Sequence, residues 1–433
     1  MRRYLTLLYL TVIFNSILLC QDPEKLLSEA KTKMKTGDLR YADSLLQESL
    51  KIDPSFAPSI VAQSELWLRK GSLNKALEFA SRGVQLDEDS RPWIKEMESL
   101  NSTMVNAMQN LKQGLKDLAF KDFESVTKKY PYFPQPYYNM GIIRYKEKDI
   151  EGTAYYAKEV LKIYPEHKKA KVLLKNVIKL FYNSGNKAYK RGDLEKAITQ
   201  FQKAVEYDNQ YFLAYYQLGV LEKKMGNSDQ AISYFNKAID IKPDFHKAWF
   251  TLGTSYEADN NLDSAIVKYS AAIEISPGYT KAYGNLGNVY RLKEDYISAK
   301  DILMTVIQID PTFSKGYYNL GIVYSDQELY LEASEQFKKA TEYDEKNHDI
   351  WHRYATSLNS IEDWGNASLA SQKCIDLKGK FGGGWYEKGV AEMGRGNKTR
   401  ALKYFDEANK YRNFRKVAQD KIDRIKNPLK YQK

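Results

Sequence analysis

A motif recurs along this chain with a period of 34 residues. Each copy contains an aromatic residue, a Leu-Gly pair, a Tyr, two Ala residues that flank a second aromatic residue, and a Pro. The clearest copy consists of Trp249, Leu252, Gly253, Tyr256, Ala265, Tyr269, Ala272 and Pro277. A fixed period of this length is typical of arrays that repeat one small supersecondary unit. The repeat constrains the fold strongly because every copy must adopt the same structure.

Seven copies follow one another without an insertion, and each is numbered from a position 1. Those first positions are Ile178, Phe212, His246, Thr280, Ser314, His348 and Gly382. Four fainter copies precede them and begin at Pro23, Ala57, Leu100 and Pro134. Insertions at residues 91–99 and 168–177 break the phase twice. The sequence therefore predicts eleven units, four upstream and seven downstream.

The residue types within a copy predict a pair of helices. Gly at position 8 and Ala at positions 20 and 27 leave room where two helices cross closely, and the aromatic residues fill the space between units. Gly192 and Gly226 mark the turn within a pair, since Gly ends a helix at little cost. One pair cannot bury its own apolar face, so neighbouring pairs must stack. No segment alternates with period two, and we predict no sheet.

Both insertions have the composition of a helix rather than a loop. Pro92 suits the first turn of a helix, and no residue from Trp93 to Gln113 interrupts one. Residues 168–190 contain no Pro, and Gly185 occupies a packing position of the repeat. We therefore predict that both insertions lengthen first helices; the alternative is a flexible loop.

The pattern resembles the tetratricopeptide repeat family over nearly the whole chain beyond residue 20. The resemblance implies an all-α fold, namely a right-handed superhelical solenoid of helix-turn-helix repeats with a concave binding groove. The predicted organisation is a leader over residues 1–20, repeats 1–4 over 21–167, a helix extension between two lobes over 168–177, repeats 5–11 over 178–415, and a capping helix with a basic tail over 416–433.

Candidate binding residues follow from this resemblance, because the family lines its groove with the second, fifth, sixth and ninth positions of the first helices. The candidates at those positions are Lys247, Lys281, Asn285, Asn288, Lys315, Tyr318, Asn319 and Arg353. Asn amides can bond an extended peptide backbone, and cationic side chains favour acidic or carboxylate groups. Part of the carboxylate clamp of the family is matched, but Gly284 and Asp349 replace its lysines, so we predict no clamp. The alternative is that these side chains are only solvated.

Few residues suggest catalysis or metal binding. His348 and His352 are four apart and could share a helix face around a metal, but no third ligand is near, and we expect two exposed groove histidines. Gly382–Gly384 could cradle a phosphate, but no Lys-Ser/Thr follows, and we expect a flexible turn. Cys374 stands at a small-residue position, where a buried and inert thiol is expected. We predict no catalytic residue, metal or cofactor.

The N-terminus has the pattern of an export signal. Met1-Arg2-Arg3 precedes an apolar run from Tyr4 to Leu19, and Cys20 follows. A charged start and a short apolar core are typical of secretory signals. Bacterial lipoprotein signals are similar, although they usually carry a small residue where Leu19 stands. Three outcomes remain open: lipidation at Cys20, ordinary cleavage nearby, or an uncleaved anchor. We expect export, either to the periplasm or to a membrane-anchored position in the cell envelope.

Charge is concentrated at the C-terminus. The chain carries a net charge of +11, and the last 36 residues contribute +8 from twelve basic and four acidic residues. A polar capping helix explains this segment; the alternative is contact with an anionic lipid, polymer or partner. Nucleic acid is not an expected partner, because the leader predicts export.

Together these features predict a non-enzymatic scaffold of the bacterial cell envelope that binds a protein or peptide partner, with membrane attachment through the N-terminus. The alternative is a regulatory or targeting subunit of an envelope glycan or cell-wall assembly enzyme complex. An enzyme in its own right would need a catalytic domain, and the repeats already account for residues 23–415.

Intact-mass measurement of the native protein tests the leader. We expect a mature chain that starts at or just after Cys20, because the charged and apolar segments before it match a cleaved signal. A diacyl or triacyl increment on Cys20 would establish lipidation. A mass that includes residues 1–19 would contradict cleavage.

Overall fold

In this computed structural model, residues 22–431 are described. These residues form 23 α-helices, two short 3-10 helices and no strand. The chain clusters into two compact units, which divide between Gln210 and Tyr211. Each unit is an all-α solenoid in which consecutive helices pack against each other.

The first unit contains five helix pairs. Their helices are α1 (Pro23–Thr36), α2 (Leu39–Ile52), α3 (Ala57–Arg69), α4 (Leu73–Leu86), α5 (Arg91–Lys112), α6 (Lys116–Lys129), α7 (Pro134–Lys146), α8 (Ile150–Ile163), α9 (Lys168–Lys190) and α10 (Leu194–Tyr207). The first helices α5 and α9 have 22 and 23 residues, whereas the other helices of this unit have 13 or 14. Both insertions therefore lengthen first helices, as predicted.

The second unit contains six pairs and one further helix. They are α11 (Phe212–Met225), α12 (Ser228–Ile241), α13 (His246–Ala258), α14 (Leu262–Ile275), α15 (Thr280–Leu292), α16 (Tyr296–Ile309), α17 (Ser314–Asp326), α18 (Tyr330–Tyr343), α19 (His348–Ser360), α20 (Trp364–Leu377), α21 (Gly382–Gly394), α22 (Lys398–Asn409) and α23 (Arg415–Lys426). The predicted total of eleven pairs is thus present within residues 22–431.

The turn between the helices of each pair contains one residue with a left-handed backbone. Six of these eleven residues are Gly, with φ between 80° and 86°. The other five have φ between 56° and 63°; they are Lys148, Asn260, Glu294, Glu328 and Glu362. A residue with a Cβ is strained there by about 1–2 kcal/mol. The packing of the pair therefore imposes this turn even where the sequence does not favour it.

The helices of a pair meet at Gly of position 8 and a large side chain of position 24. A Cβ added to Gly253 would lie 2.7 Å from Tyr269 Cδ1, much closer than real Cβ contacts. The same contact, with a closest distance of 2.6–2.7 Å, recurs between Gly185 and Phe201, Gly219 and Phe235, Gly287 and Leu303, Gly321 and Phe337, and Gly389 and Phe405. Only Gly fits this position, because the ring or Leu side chain occupies the space of a Cβ.

Small residues line the second helices where neighbours approach. Ala265 and Ala272, at positions 20 and 27, are completely buried. Cys374 replaces Ala at position 27 and is also completely buried. Burial raises the pKa of its thiol to about 12, which keeps the reactive thiolate rare at neutral pH. The predicted inert thiol is confirmed.

Three indoles bond a first helix to the turn that precedes it. Trp249, Trp351 and Trp385 occupy position 4, and each donates its Nε1–H to the carbonyl oxygen six residues earlier at 2.8 Å. Those carbonyls belong to the turns that follow the second helices. The aromatic residue at position 4 thus contributes a hydrogen bond as well as buried area.

The last helix covers the end of the second unit. Ala418 and Ile422 of α23 are buried against α22 together with Phe405. Val417 faces outward and is 44% exposed. The helix therefore buries a narrow apolar stripe and leaves its charged residues in solvent.

The glycine run at the start of α21 is not the flexible turn that we expected. Gly382–Gly384 form the first turn of the helix and are buried. A Cβ on Gly383 would lie 2.8 Å from His352 Nε2, and one on Gly384 would lie 3.1 Å from Cys374 Sγ. These glycines are required by close packing against α19 and α20 and not by the backbone conformation of a turn.

None of the helices between residues 22 and 431 combines the length and apolarity needed to cross a bilayer. The apolar run from Tyr4 to Leu19 and the lipidation candidate Cys20 lie outside the described residues.

Replacing Gly253 with Leu should lower the free energy of unfolding by about 3 kcal/mol, because the new side chain meets the buried Tyr269 ring. Gly278→Leu is the matched control: Gly278 has no atom within 4 Å of an added Cβ, and its effect should stay within about 0.5 kcal/mol. Urea unfolding followed by circular dichroism measures both. Equal stability of the two variants would contradict this close crossing.

Candidate binding surface on the first helices

The predicted binding residues all lie on first helices of the second unit. Helix α13 carries Lys247, α15 carries Lys281, Asn285 and Asn288, α17 carries Lys315, Tyr318 and Asn319, and α19 carries Arg353. Hydrogen bonds between α15 and α17 join Lys315 to Asn285 and Asn319 to the carbonyl of Gly284. Lys281 and Asn288 lie on the same helix as Asn285. We call Lys281, Asn285, Asn288, Lys315 and Asn319 the polar row.

A chain of hydrogen bonds runs from the polar row to the preceding helix pair, α13 and α14. Lys315 Nζ donates to Asn285 Oδ1 at 2.8 Å, and Asn285 Nδ2 donates to Tyr269 Oη at 3.2 Å. Tyr269 Oη donates to Glu257 Oε2 at 2.5 Å. Burial and this bond to the carboxylate raise the pKa of Tyr269. The chain holds Lys315 and Asn285 in fixed orientations before any partner binds.

A branch of the same chain connects three consecutive first helices. Asn288 Nδ2 donates to Glu257 Oε1 at 3.2 Å, and Arg291 Nη2 donates to Asn288 Oδ1 at 3.2 Å. Arg291 Nη1 pairs with Asp326 Oδ2 at 2.7 Å. Helices α13, α15 and α17 are therefore linked by charge-assisted bonds, which are stronger than neutral ones.

Sequence analysis missed Glu257 and Tyr269 as members of this surface. Tyr269 occupies position 24, where five other copies carry Phe. A buried Tyr hydroxyl usually finds a hydrogen-bond partner. The replacement of Phe by Tyr at a buried position was therefore a signal for a polar neighbour.

The cations of this surface have no acidic partner. Among residues 22–431, no carboxylate oxygen lies within 4.0 Å of the charged groups of Lys247, Lys281, Lys315 or Arg353. Burial lowers the pKa of the Lys315 ammonium, and the charge of Lys281 acts in the same direction, while Glu257 opposes both. The surface is thus locally electropositive and can accept an anionic group.

Asn319 has a structural role that the sequence did not predict. It lies at a predicted groove position, but it is only 7% exposed. Its Nδ2 donates to the carbonyl oxygen of Gly284 at 2.7 Å. The absence of a side chain at Gly284 leaves this carbonyl accessible to the amide. Asn319 therefore joins α17 to α15, and its replacement would remove this bond between the two helices.

The other three predicted residues stand apart from the polar row. No hydrogen bond or ion pair within residues 22–431 connects Lys247, Tyr318 or Arg353 with it. The Tyr318 ring packs against Phe337 with centroids 5.9 Å apart. Arg353 lies near Glu387, where its charge favours the ionised carboxylate.

The two histidines of α19 are not the exposed pair that we expected. His348 and His352 both pack edge-on against Phe381, and the side chain of His352 is only 17% exposed. Burial lowers the pKa of His352 to about 4, so its ring is neutral at pH 7. The expectation is wrong because Phe381 and Phe414, distant in sequence, cover the ring.

A cluster of buried acceptors surrounds His352. Asn359 Nδ2 donates to Glu387 Oε2 at 2.8 Å, and Glu387 Oε1 lies 3.9 Å from His352 Nε2. His352 Nε2 and Asn359 Oδ1 have no hydrogen-bond partner in the described part of the chain. Burial raises the pKa of Glu387. No group of three or more metal-ligating side chains occurs in that part of the chain.

Stacked helix pairs with close Gly crossings and a polar first-helix surface define a repeat scaffold of the tetratricopeptide class. Models of this repeat match residues 185–226, 212–245, 246–279, 280–313 and 314–347. The chain therefore contains tetratricopeptide repeats, and the matched segments include seven of the eight predicted binding residues, all except Arg353.

Several known proteins are similar to parts of the chain. A stretch of 128 residues, 28% of this chain, is 30% identical to human outer dynein arm-docking complex subunit 4 and covers 19% of that relative's length. The crystal structure of MamA is 28% identical, with 37% of this chain and 95% of that chain covered and a TM-score of 0.35. A tetratricopeptide repeat protein from Parabacteroides merdae is 14% identical, with 58% and 99% covered and a TM-score of 0.43.

The neutral state of His352 predicts a pH dependence of stability. Folding lowers the pKa of its ring from 6.5 to about 4. The contribution of the neutral ring to the free energy of unfolding is therefore complete above pH 6.5 and is lost as the pH falls toward 4. The loss amounts to about 3 kcal/mol at most. His352→Phe keeps a ring but cannot titrate. Urea unfolding at pH 7 and pH 4.5 should show a smaller difference for the variant; equal differences would refute the assignment.

Proposed function

We propose that this protein is a non-enzymatic scaffold that binds an acidic protein or peptide segment on the first-helix surface of α13, α15 and α17. The polar row supports this proposal most directly. It contains two lysines and three asparagines, and the chain through Tyr269 to Glu257 already orders Lys315 and Asn285. Side chains that are ordered before binding lose less entropy when a partner arrives.

The charge of the surface specifies the partner. The charge of Lys281 acts on the Lys315 ammonium, and neither lysine has a carboxylate within 4.0 Å among residues 22–431. Two neighbouring cations that lack a paired carboxylate favour a carboxylate-bearing ligand. The amide of Asn288 is held on Glu257 and Arg291, and the amide of Asn285 is held on Lys315 and Tyr269. The second N–H of the Asn285 amide can still contact the ligand backbone.

We further propose that the scaffold works in the bacterial cell envelope, on the membrane or in the periplasm. The pattern of residues 1–20 is the support for this location. An exported scaffold of this kind would carry its partner-binding surface on the second unit and its attachment at the N-terminus.

Removing the two ammonium groups tests the binding surface. The probe is a fluorescein-labelled peptide of alternating Glu and Gly, and the variant is Lys281→Ala combined with Lys315→Ala. We expect the affinity to fall roughly tenfold, because each lost pair contributes up to about 1 kcal/mol. Fluorescence anisotropy at low and high salt measures the loss, which salt should reduce.

The matched control removes the same charge from the second helices. Lys237 and Lys338 are exposed on α12 and α18, and their double replacement with Ala should leave the affinity unchanged. A basic peptide of alternating Lys and Gly should not bind the wild-type protein. If both double variants bind the acidic peptide equally, the first-helix surface is not the site.

A further inference from the structure

Aromatic contacts repeat along the second unit in a fixed register. The last residue of a unit, position 34, packs against positions 1 and 5 of the same unit's first helix. Phe245 meets Phe212 and Tyr216 nearly edge-on, with centroids 5.1 Å apart in both cases. The same arrangement joins Tyr279 to His246 and Phe250, and Phe381 to His348 and His352. We call this series the ring ladder.

The ladder is interrupted in two consecutive units. In the unit of residues 280–313, position 5 is Gly284, so Phe313 meets a bare backbone: a Cβ there would lie 3.3 Å from Phe313 Cε1. In the unit of residues 314–347, position 34 is Asn347, so Tyr318 lacks the ring that its counterparts have. We call Gly284, Phe313, Tyr318 and Asn347 the ladder gap.

The gap lies beside the two lysines of the polar row. Lys281 precedes Gly284 by three residues on α15, and Lys315 precedes Tyr318 by three on α17. Residues three apart share one face of a helix. The ladder gap and the pair of ammonium groups are thus adjacent on the same surface.

The rings that border the gap are only partly covered. Phe313 and Tyr318 both have intermediate exposure. Asn347 does not cover them, since its Oδ1 accepts from the Asp349 amide at 3.1 Å and its Nδ2 donates to Asp344 Oδ2 at 3.2 Å. Both ends of the Asn347 side chain are therefore held by the turn that starts α19.

We propose that the ladder gap receives an aromatic or large aliphatic side chain of the partner, next to a carboxylate held by Lys281 and Lys315. The inference rests on the proposed function and specifies its ligand: an acidic segment with a large apolar residue beside the acid. The neighbouring units show that an aromatic ring fits this register, because their own rings fill it at centroid distances of 4.9–5.2 Å.

Completing the ladder with Asn347→Phe tests the proposal. The site tolerates a ring, because Phe245, Tyr279, Phe313 and Phe381 occupy the same position before their helices without a side-chain cap. The backbone at Asn347 is similar, with φ −89° against −85° at Phe245. Asn347→Ser is the matched control, since it keeps the gap open and can still cap α19.

Two fluorescein-labelled peptides serve as probes on the full chain. Both have a central residue flanked by Glu, which is Phe in one peptide and Gly in the other. Wild-type protein and Asn347→Ser should bind the Phe peptide about tenfold more tightly than the Gly peptide. Asn347→Phe should bind both peptides with the affinity of the Gly peptide, because its own ring fills the gap.

The outcomes separate the two proposals. Equal binding of the two peptides to the wild-type protein would overturn the ladder-gap inference and leave the acidic surface intact. No binding of the Gly peptide would contradict the acidic surface itself. A change in oligomeric state of Asn347→Phe, measured by light scattering, would also overturn the inference, because the occupant would then be a second copy of the chain. Thermal unfolding must show that both variants remain folded.

Discussion

The contact between Gly at position 8 and the large side chain at position 24 sets the distance between the two helices of a pair. In the pair of α13 and α14, a Cβ on Gly253 would lie 2.7 Å from the Tyr269 ring. The ring is completely buried, so the pair cannot separate without exposing it. Every other packing position depends on this distance: Ala at positions 20 and 27 fits only because the helices already lie close. The repeat therefore keeps its backbone spacing through one steric relation, which recurs in six of the seven pairs from α9 to α22.

Because packing uses only some positions of the repeat, the outer positions of the first helices are free for binding. Packing uses positions 8, 20, 24 and 27, whereas Lys281 and Lys315 at position 2 contribute nothing to the core. Asn285 is intermediate, since its amide also satisfies the hydroxyl of Tyr269. Asn319 lies at the same position as Asn285 but is committed to the structure through Gly284. Side chains at the same repeat position thus differ in function, because the neighbouring unit presents different contacts to each of them.

The repeat period predicted the helix pairs, the long helices α5 and α9, and the burial of Cys374, because these depend on residues within one unit. The burial of His352 and Asn319 could not be predicted in this way. Phe381 covers His352 from the far end of the same unit, and Gly284 approaches Asn319 from the unit before. The members of the polar row were predicted from their positions in the repeat alone. The hydrogen-bond chain that orders them could not be predicted in this way, because it depends on Glu257 in yet another unit. Contacts between units decide the burial of a side chain, and a periodic pattern does not report them.

Departures from the repeat carry more information than the repeat itself. Tyr for Phe at 269 brings a hydroxyl to the binding surface, and Gly284 and Asn347 interrupt the ring ladder beside two lysines. Farther along, Lys388 is 9% exposed and donates to the Ser368 carbonyl at 2.8 Å, so even a buried charge is accommodated when a neighbour supplies partners. Since each unit contacts mainly the units beside it, such a change is absorbed locally without altering the array. A solenoid can therefore acquire a specific surface one position at a time, and the second unit shows this around α15 and α17.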